Sequence, residues 1–388
     1  MKIIHTADWH IGKLVHGLHM TEDQEYLLKQ FVRLVDDEKP DVVIIAGDIY
    51  DRTVPPVEAV ELMDRILTEI LIDCKTKVIM ITGNHDSSDR VGFANRILKN
   101  HGLYIRTNLE KSIDPIVIGD EFGTVNFYPI PFIEPIRARK LYDDDNIKTY
   151  DDSMKAIMKE IDETIDKSER NVCITHGFVI GTENLETSES ERPLTVGGSD
   201  YVSADYFDDF DYVALGHLHG PQKVKSEKIR YSGSLMKYSF SEALQNKSIA
   251  IINMDENGET TIEKKVLNPI RDMRIIKGNL NDLIDEEVYS LGNTDDYIMA
   301  VITDEGELVD PISKLRTVYP NILKLSRESK ESLDNDNKTS ASGDFLKKSP
   351  DELFDEFYTN TGSNEYTKEK REIVENVVDE INYIERVK

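Results

Sequence analysis

Cysteine is nearly missing from this 388-residue chain, which has only Cys74 and Cys173, with no metal-ligand spacing between them. That leaves no disulfide framework and predicts free, buried thiols in a reducing compartment, the cytoplasm. No run approaches the ~20 apolar residues a helix needs to span a bilayer. The opening MKIIHTADWH lacks the layout of a secretory signal. The phosphate-cradling pattern GxxxxGK[ST] is absent too, so ATP hydrolysis would have to come from another chain. Cationic charge is short: 47 Lys and Arg face 74 Asp and Glu, for a formal charge of −27. Such a chain does not adhere to nucleic acid by bulk electrostatics, because phosphate neutralisation is the usual source of nonspecific affinity. A nucleic-acid enzyme stays open, since bound divalent cations reverse the local field. Two basic stretches, IRARK at 136–140 and KVKSEKIR at 223–230, are read equally well as ordinary solvated surface. Tryptophan occurs once, at Trp9, and is read as a packing residue rather than a base-stacking platform.

Apolar residues make up 39% of the chain and charged residues 31%, which suits a genuine core with solvated or partner-binding extensions. Short Val/Ile runs alternate with helical patterns. MKIIHTAD precedes a predicted helix over 22–36, DVVIIAGD one over 57–71, and KVIMITGNHD one over 90–100. This alternation predicts an α/β domain whose strands are covered on both faces. TVNFYPIP, NVCITHG, DYVALGHLH, IRYSGS and SIAIINMD make the second half richer in strands, so two sheets flanked by helices fit. Residues 1–270 are assigned to this domain. The segment 271–328 has a βαβαβ-like order and is read as a small α/β domain, and the polar stretch 329–348 as a linker. Ser349, Pro350 and Glu352 form a helix-start signature and Gly362 a stop, with a second helix after Thr367. That second helix carries Ile373, Val374, Val377, Val378, Ile381 and Ile384 on one apolar stripe. Residues 349–388 are therefore expected to form a helical pair that buries its stripes on a partner or on the chain itself.

Chemistry gathers where the strands end. The first run leads into Asp8 and His10, the second into Asp48 and Asp51, the third into Asn84, His85 and Asp86. Later runs lead into His176, and into His217 and His219, so five of the nine histidines follow apolar runs. Ligands of open α/β sheets bind outside the carboxyl ends of the strands. Asp8 and His10 are expected to converge because strand residues two apart project to one side. A set of Asp, His and Asn without thiolate suits Mn²⁺, Fe²⁺ or Zn²⁺. Seven side chains exceed one ion with an open position, and two ions sharing a carboxylate use them all.

D-x-H, GDxxDR, GNHD, a lone His after a strand, and GHxH, in this order, resemble the calcineurin-type metallophosphoesterases. DWHIG, GDIYDR and GNHDS resemble more narrowly the SbcD family, the nuclease subunits of bacterial SbcCD complexes. The resemblance implies a sandwich of two β-sheets flanked by helices, with 271–328 as a capping domain and 349–388 as a C-terminal helical pair. It implies one metal on Asp8, His10, Asp48 and His219, and a second on Asp48, Asn84, His176 and His217. His85 would face the scissile phosphate and assist the leaving oxygen, and Asp51 would orient His85. Arg52 would contact phosphate, or pair with Asp51 or Asp86.

The implied activity is manganese-dependent DNA cleavage in replication, recombination and repair. It comprises double-strand exonuclease action with an ATPase partner, single-strand endonuclease action and hairpin opening. The implied partners are DNA, the SbcC ATPase through the C-terminal helices, and a second copy of the chain through helices near 57–71 and 90–100. Two other readings use the same residues: a small-molecule or protein phosphoesterase, and a non-catalytic scaffold of the same fold.

Overall fold

The computed structural model describes residues 1–194, 200–306, 308–328 and 371. The linker and the helical pair expected after residue 328 lie outside the described residues, apart from residue 371. Contacts divide the chain into one unit over Met1–Ser326 and a second over Arg327–Lys388.

The Val/Ile runs form two six-stranded sheets. The first is built on β1 (Lys2–Thr6), β2 (Val42–Ala46), β3 (Lys77–Ile81) and β4 (Leu103–Arg106), neighbouring and parallel in that order. The second holds β5 (Ile116–Asp120), β6 (Gly123–Ile130), β7 (Arg170–His176), β8 (Tyr212–Gly216), β9 (Gln222–Val224) and β10 (Ser226–Tyr231). Its order is β9-β10-β8-β7-β6-β5, and β6, β7, β8 and β10 run parallel. β11 (Ile249–Met254) returns to the first sheet antiparallel to β1, and β12 (Thr260–Lys265) closes that edge.

Alternation along β1 and β2 shows why both faces must be covered. Ile4, Val43 and Ile45 face a core shared with α1 (Thr21–Glu38) and α2 (Val57–Thr68). Ile3, Val42 and Ile44 face the other way, into a core between the sheets with Phe127, Val172, Ile174 and Ala214. The outer face of the second sheet is covered by α4 (Tyr150–Asp162), through Met154, Ile157, Met158 and Ile161. It follows the shorter α3 (Pro135–Tyr142). α1 presents Leu27, Leu28, Phe31, Val32 and Val35 at helical spacing and ends where Lys39 turns left-handed at φ 47°. Trp9 is fully buried, edge-on to Phe31, and donates its indole N–H to Thr6 Oγ1 at 2.8 Å.

Three expectations need correction. The helix predicted over 90–100 is broken into Ser88–Val91, Asn95–Leu98 and a 3₁₀ turn at Lys99–His101. Gly92 weakens the helix, and Ala94 leaves it at φ 61°. The helix predicted over 57–71 runs to Thr68 and continues as a π-type turn, Glu69–Asp73. Cys173 is buried as expected, but Cys74, just past that turn, is only half-buried; both are free.

Beyond β12, β13 (Met273–Gly278), β14 (Tyr297–Ile302) and β15 (Ile322–Arg327) form a three-stranded sheet in that order. The acidic stretch between β13 and β14 makes two single helical turns. This segment is tied to the first turn of α1. Buried Asp23 accepts from Arg271 Nε at 3.0 Å and from Tyr297 Oη at 2.9 Å.

Candidate metal centre

The parallel strands of both sheets end at one edge, and the loops beyond them carry the site. Asp8 and His10 do not converge through strand alternation, because β1 has already ended at Thr6. Both adopt left-handed backbone, at φ 53° and 46°, and Asp48 does the same at 49°. Their loops run side by side: Asp8 N donates to Gly47 O at 3.1 Å and His10 N to Asp48 O at 2.9 Å. Two glycines permit this crowding. A Cβ on Gly83 would lie 2.2 Å from Asp48 Oδ1, and one on Gly216 would lie 1.9 Å from Ala46 O.

The structure brings the expected residues together at that edge. Asp8, His10 and His219 form one cluster, Asp8, Asp48 and His176 a second, and His10, Asp51 and His85 a third. Asp48 Oδ2 is central: His176 Nε2 lies 3.5 Å away, His10 Nε2 3.6 Å and His85 Nε2 4.0 Å. Asn84 Oδ1 lies 3.0 Å from His176 Nε2 and 3.3 Å from His217 Nδ1. The Nε2 atoms of His10 and His219 face each other at 3.1 Å. Asp8, His10, Asp48, His176, His217 and His219 are all buried.

Tautomers test whether these groups suit a cation. His176 Nδ1 lies 2.8 Å from the carbonyl of Ala46, which only accepts, so Nδ1 carries the proton. Its Nε2 then turns a lone pair towards Asn84 Oδ1 and Asp48 Oδ2, an arrangement that needs a positive charge between the donors. Burial opposes charging His176, but Asp48 and Asp8 outweigh it and raise its pKa to about 9. Burial likewise opposes charge on Asp48, yet His176, His10 and His85 hold it well below the usual carboxylate range. His217 is pushed down to about 3 by burial and by the charge on His176. Burial also lowers His10 and His219 and raises Asp8. Six buried donors offering lone pairs fit divalent metal ions, which would displace the proton.

His85 and Asp51 stand at the open side, half-buried. His85 Nδ1 donates to the main-chain carbonyl of Asp51 at 2.7 Å, whereas the Asp51 carboxylate takes Lys13 Nζ at 2.8 Å. Asp86 accepts three backbone N–H groups, from Ile49, Tyr50 and Gly83, and so pins the two loops together. Burial and Asp48 raise it to about 7. Arg52 is exposed and, among the described residues, pairs with neither Asp51 nor Asp86.

Sequence reasoning missed the support of His219. Its Nδ1 lies 2.6 Å from Ser190 Oγ and 3.4 Å from Glu242 Oε1, and Ser190 donates in turn to Glu242. Fully buried Glu242 also takes Lys247 Nζ at 2.6 Å, and Lys247 reaches His219 O at 2.8 Å. Glu191 accepts the His219 backbone N–H at 2.7 Å. The chain fixes Nδ1 of His219 as donor and leaves Nε2 free for a metal. These residues follow no strand and fall in no periodic pattern; only a buried Lys–Glu pair would have betrayed them, and burial is not visible in sequence.

A family model described as calcineurin-like phosphoesterase matches residues 1–221, and one described as type 5 capsule protein repressor C-terminal domain matches 269–361. The chain is similar to the D subunit of the SbcCD nuclease of Staphylococcus epidermidis, 38% identical over 326 residues, covering 84% of this chain and 85% of that protein. Among solved structures, TT1561 of Thermus thermophilus is 13% identical with a TM-score of 0.39, covering 69% of this chain and 99% of that one. A dimetal phosphatase from Danio rerio is 11% identical with a TM-score of 0.41, covering 69% and 97%. On the family model and the curated relative together, the chain belongs to the calcineurin-like phosphoesterases and, within them, to the SbcD family.

Proposed function

We propose that this chain is the nuclease subunit of an SbcCD-type complex, hydrolysing DNA phosphodiesters at two divalent cations, with Mn²⁺ as the working metal. The observation that carries the reading is the convergence of lone pairs from both sheets on Asp48 Oδ2. Asp8, His10, Asp48 and His219 would hold one cation, and Asp48, Asn84, His176 and His217 the other. Cations held there would lower the pKa of a water toward ~7 and offset charge on the phosphate. Asp48 bridges. The chain keeps each imidazole nitrogen free by giving its ring partner a fixed acceptor, Ala46 O for His176 and Ser190 with Glu242 for His219. His85 is anchored through Nδ1–H on Asp51 O, so it would give a proton to the leaving oxygen from Nε2 of the doubly protonated ring and be left as the neutral Nδ1–H tautomer. Glycine backbone at Gly83 and Gly216 lets the loops approach closely enough for this.

Residues 1–270 form the nuclease domain in this reading, 271–328 the cap, 329–348 a linker and 349–388 the tail that grips the SbcC ATPase. The apolar stripe from Ile373 to Ile384 supports the last point. Exposed Val57, Val60, Phe93 and Ile97 support a face for a second copy of the chain. The reading is tested with a labelled DNA hairpin and Mn²⁺, with and without SbcC and ATP. Mn²⁺-dependent opening of the loop by this chain, and ATP-dependent attack on the duplex end only with SbcC, are the expected results. A chain that hydrolyses small phosphate esters but leaves both the loop and the duplex end of the hairpin intact is a phosphoesterase of another kind.

A further inference from the structure

We propose that a basic trough beside the metal centre binds the phosphate backbone of a single nucleic-acid strand and leads it to the cations; this rests on the nuclease reading. The chain carries −27, yet residues 90–108 contain Arg90, Arg96, Lys99 and Arg106 and no acid. α3, over Pro135–Tyr142, contains Arg137, Arg139 and Lys140 and no acid. Folding brings these two stretches together. Arg96, Lys99 and Arg106 line one depression of about 400 Å³, and Arg137 and Lys140 line another of about 380 Å³. Thr107 and Asn108 line both, so the two lie side by side.

The trough is tied to the metal centre by hydrogen bonds at Thr82, two residues before Asn84. Thr82 Oγ1 donates to Thr107 O at 3.3 Å, and Phe132 N donates to Thr82 O at 2.9 Å. Phe132 lines the second depression and meets the His176 ring edge-on, with centroids 6.4 Å apart. Arg96, Lys99 and Lys140 are exposed and have no carboxylate within ion-pair distance among the described residues. Two acids face the cations: Glu110 lies 3.7 Å from Arg106 Nη1, and Glu134 lies 3.7 Å from Arg137 Nε. Both are exposed, and exposed pairs at such separations hold their cations weakly. Each depression also presents a half-buried aromatic ring, Tyr104 in one and Phe132 in the other. A positively charged groove with aromatic rings along it is the arrangement that holds single strands without reading sequence.

The test uses the full-length, Mn²⁺-loaded chain and two paired variants, Arg96→Gln/Lys99→Gln and Arg137→Gln/Lys140→Gln. Lys167→Gln/Lys223→Gln serves as a control on other surfaces. Binding of a 20-nucleotide phosphorothioate oligothymidylate is followed by fluorescence anisotropy from about 0.05 to about 1 M KCl. Each lost phosphate contact lowers the single-strand salt slope by ~0.7, so each pair should weaken binding by about 25-fold at 0.1 M salt relative to 1 M. The control pair should bind as the parent does. Hydrolysis of bis(p-nitrophenyl) phosphate with Mn²⁺ should be unchanged in every variant, because none touches the donors. Parental salt slopes in both trough pairs would overturn the proposal, whether or not the small diester is hydrolysed. Loss of polyglutamate binding in these pairs, with DNA binding intact, would also overturn it, in favour of an acidic polypeptide. Failure of the parent to hydrolyse the small diester would instead strike at the metal centre and leave the binding result to judge the trough.

Discussion

The imidazole of His85 is held at one end only. Nδ1 is fixed on Asp51 O at 2.7 Å, while Nε2 stands 4.0 Å from Asp48 Oδ2 on the half-buried side of the site. His176 and His219, by contrast, are buried and turn their free nitrogens into the clusters. In the proposed reading, this difference separates a proton donor from a ligand. His85→Ala should keep its bound manganese, measured by elemental analysis, and lose ~10²–10⁴-fold in cleavage rate. Metal lost together with activity would make His85 a ligand. At this scale the strand-end residues were legible, because an apolar run followed by Asp, Asn or His marks the carboxyl edge of a sheet. How Asp8 and His10 converge was not, since left-handed backbone at both positions replaces the expected alternation. Nor was the acceptor for His85 legible: a main-chain carbonyl has no sequence signature.

Elements place the donors by bringing the ends of β2 and β8 into contact. Gly216 closes β8 against Ala46 O, where a Cβ would sit 1.9 Å from a backbone atom. Neither strand can yield easily, because each pairs with neighbours on both sides. Gly216→Ala should therefore cost stability, ~1–3 kcal/mol or more by overpacking, and weaken metal binding by displacing His217 and His219. Gly177→Ala is the matched control, because a Cβ there meets nothing within 4 Å. Thermal unfolding of the two variants with and without Mn²⁺ decides it, and equal behaviour would remove the role given to Gly216. The β-strands were readable from their Val/Ile runs, and α1 and α2 from apolar spacing. The broken stretch over 88–101 was not, since Gly92 and Ala94 act through backbone angles that periodicity does not encode.

The whole molecule sets a strongly acidic chain around a centre that requires cations. Removing charge by metal is the physical condition for a polyanion to approach it. The segment beyond residue 270 is anchored to α1 through Asp23, Arg271 and Tyr297, and to the 237–243 turn through Lys237 Nζ, 3.0 Å from Asp272. That turn contains Glu242, which holds Ser190 and His219, so His219 and the segment beyond residue 270 share supports. Five of the seven proposed metal ligands come from the two sheets' parallel strand ends before residue 200, and two from after it; the centre is complete only when both halves of the fold are in place. The measurement that tests this centre most directly is manganese stoichiometry in the parent and in Asp48→Asn, read by calorimetric titration beside cleavage of a labelled single strand. Two Mn²⁺ per chain with cleavage in the parent, and loss of tight binding and of cleavage in a still-folded Asp48→Asn, is the expected result. Two tightly bound ions and near-parental cleavage in Asp48→Asn would contradict a bridging carboxylate and the two-cation centre built on it.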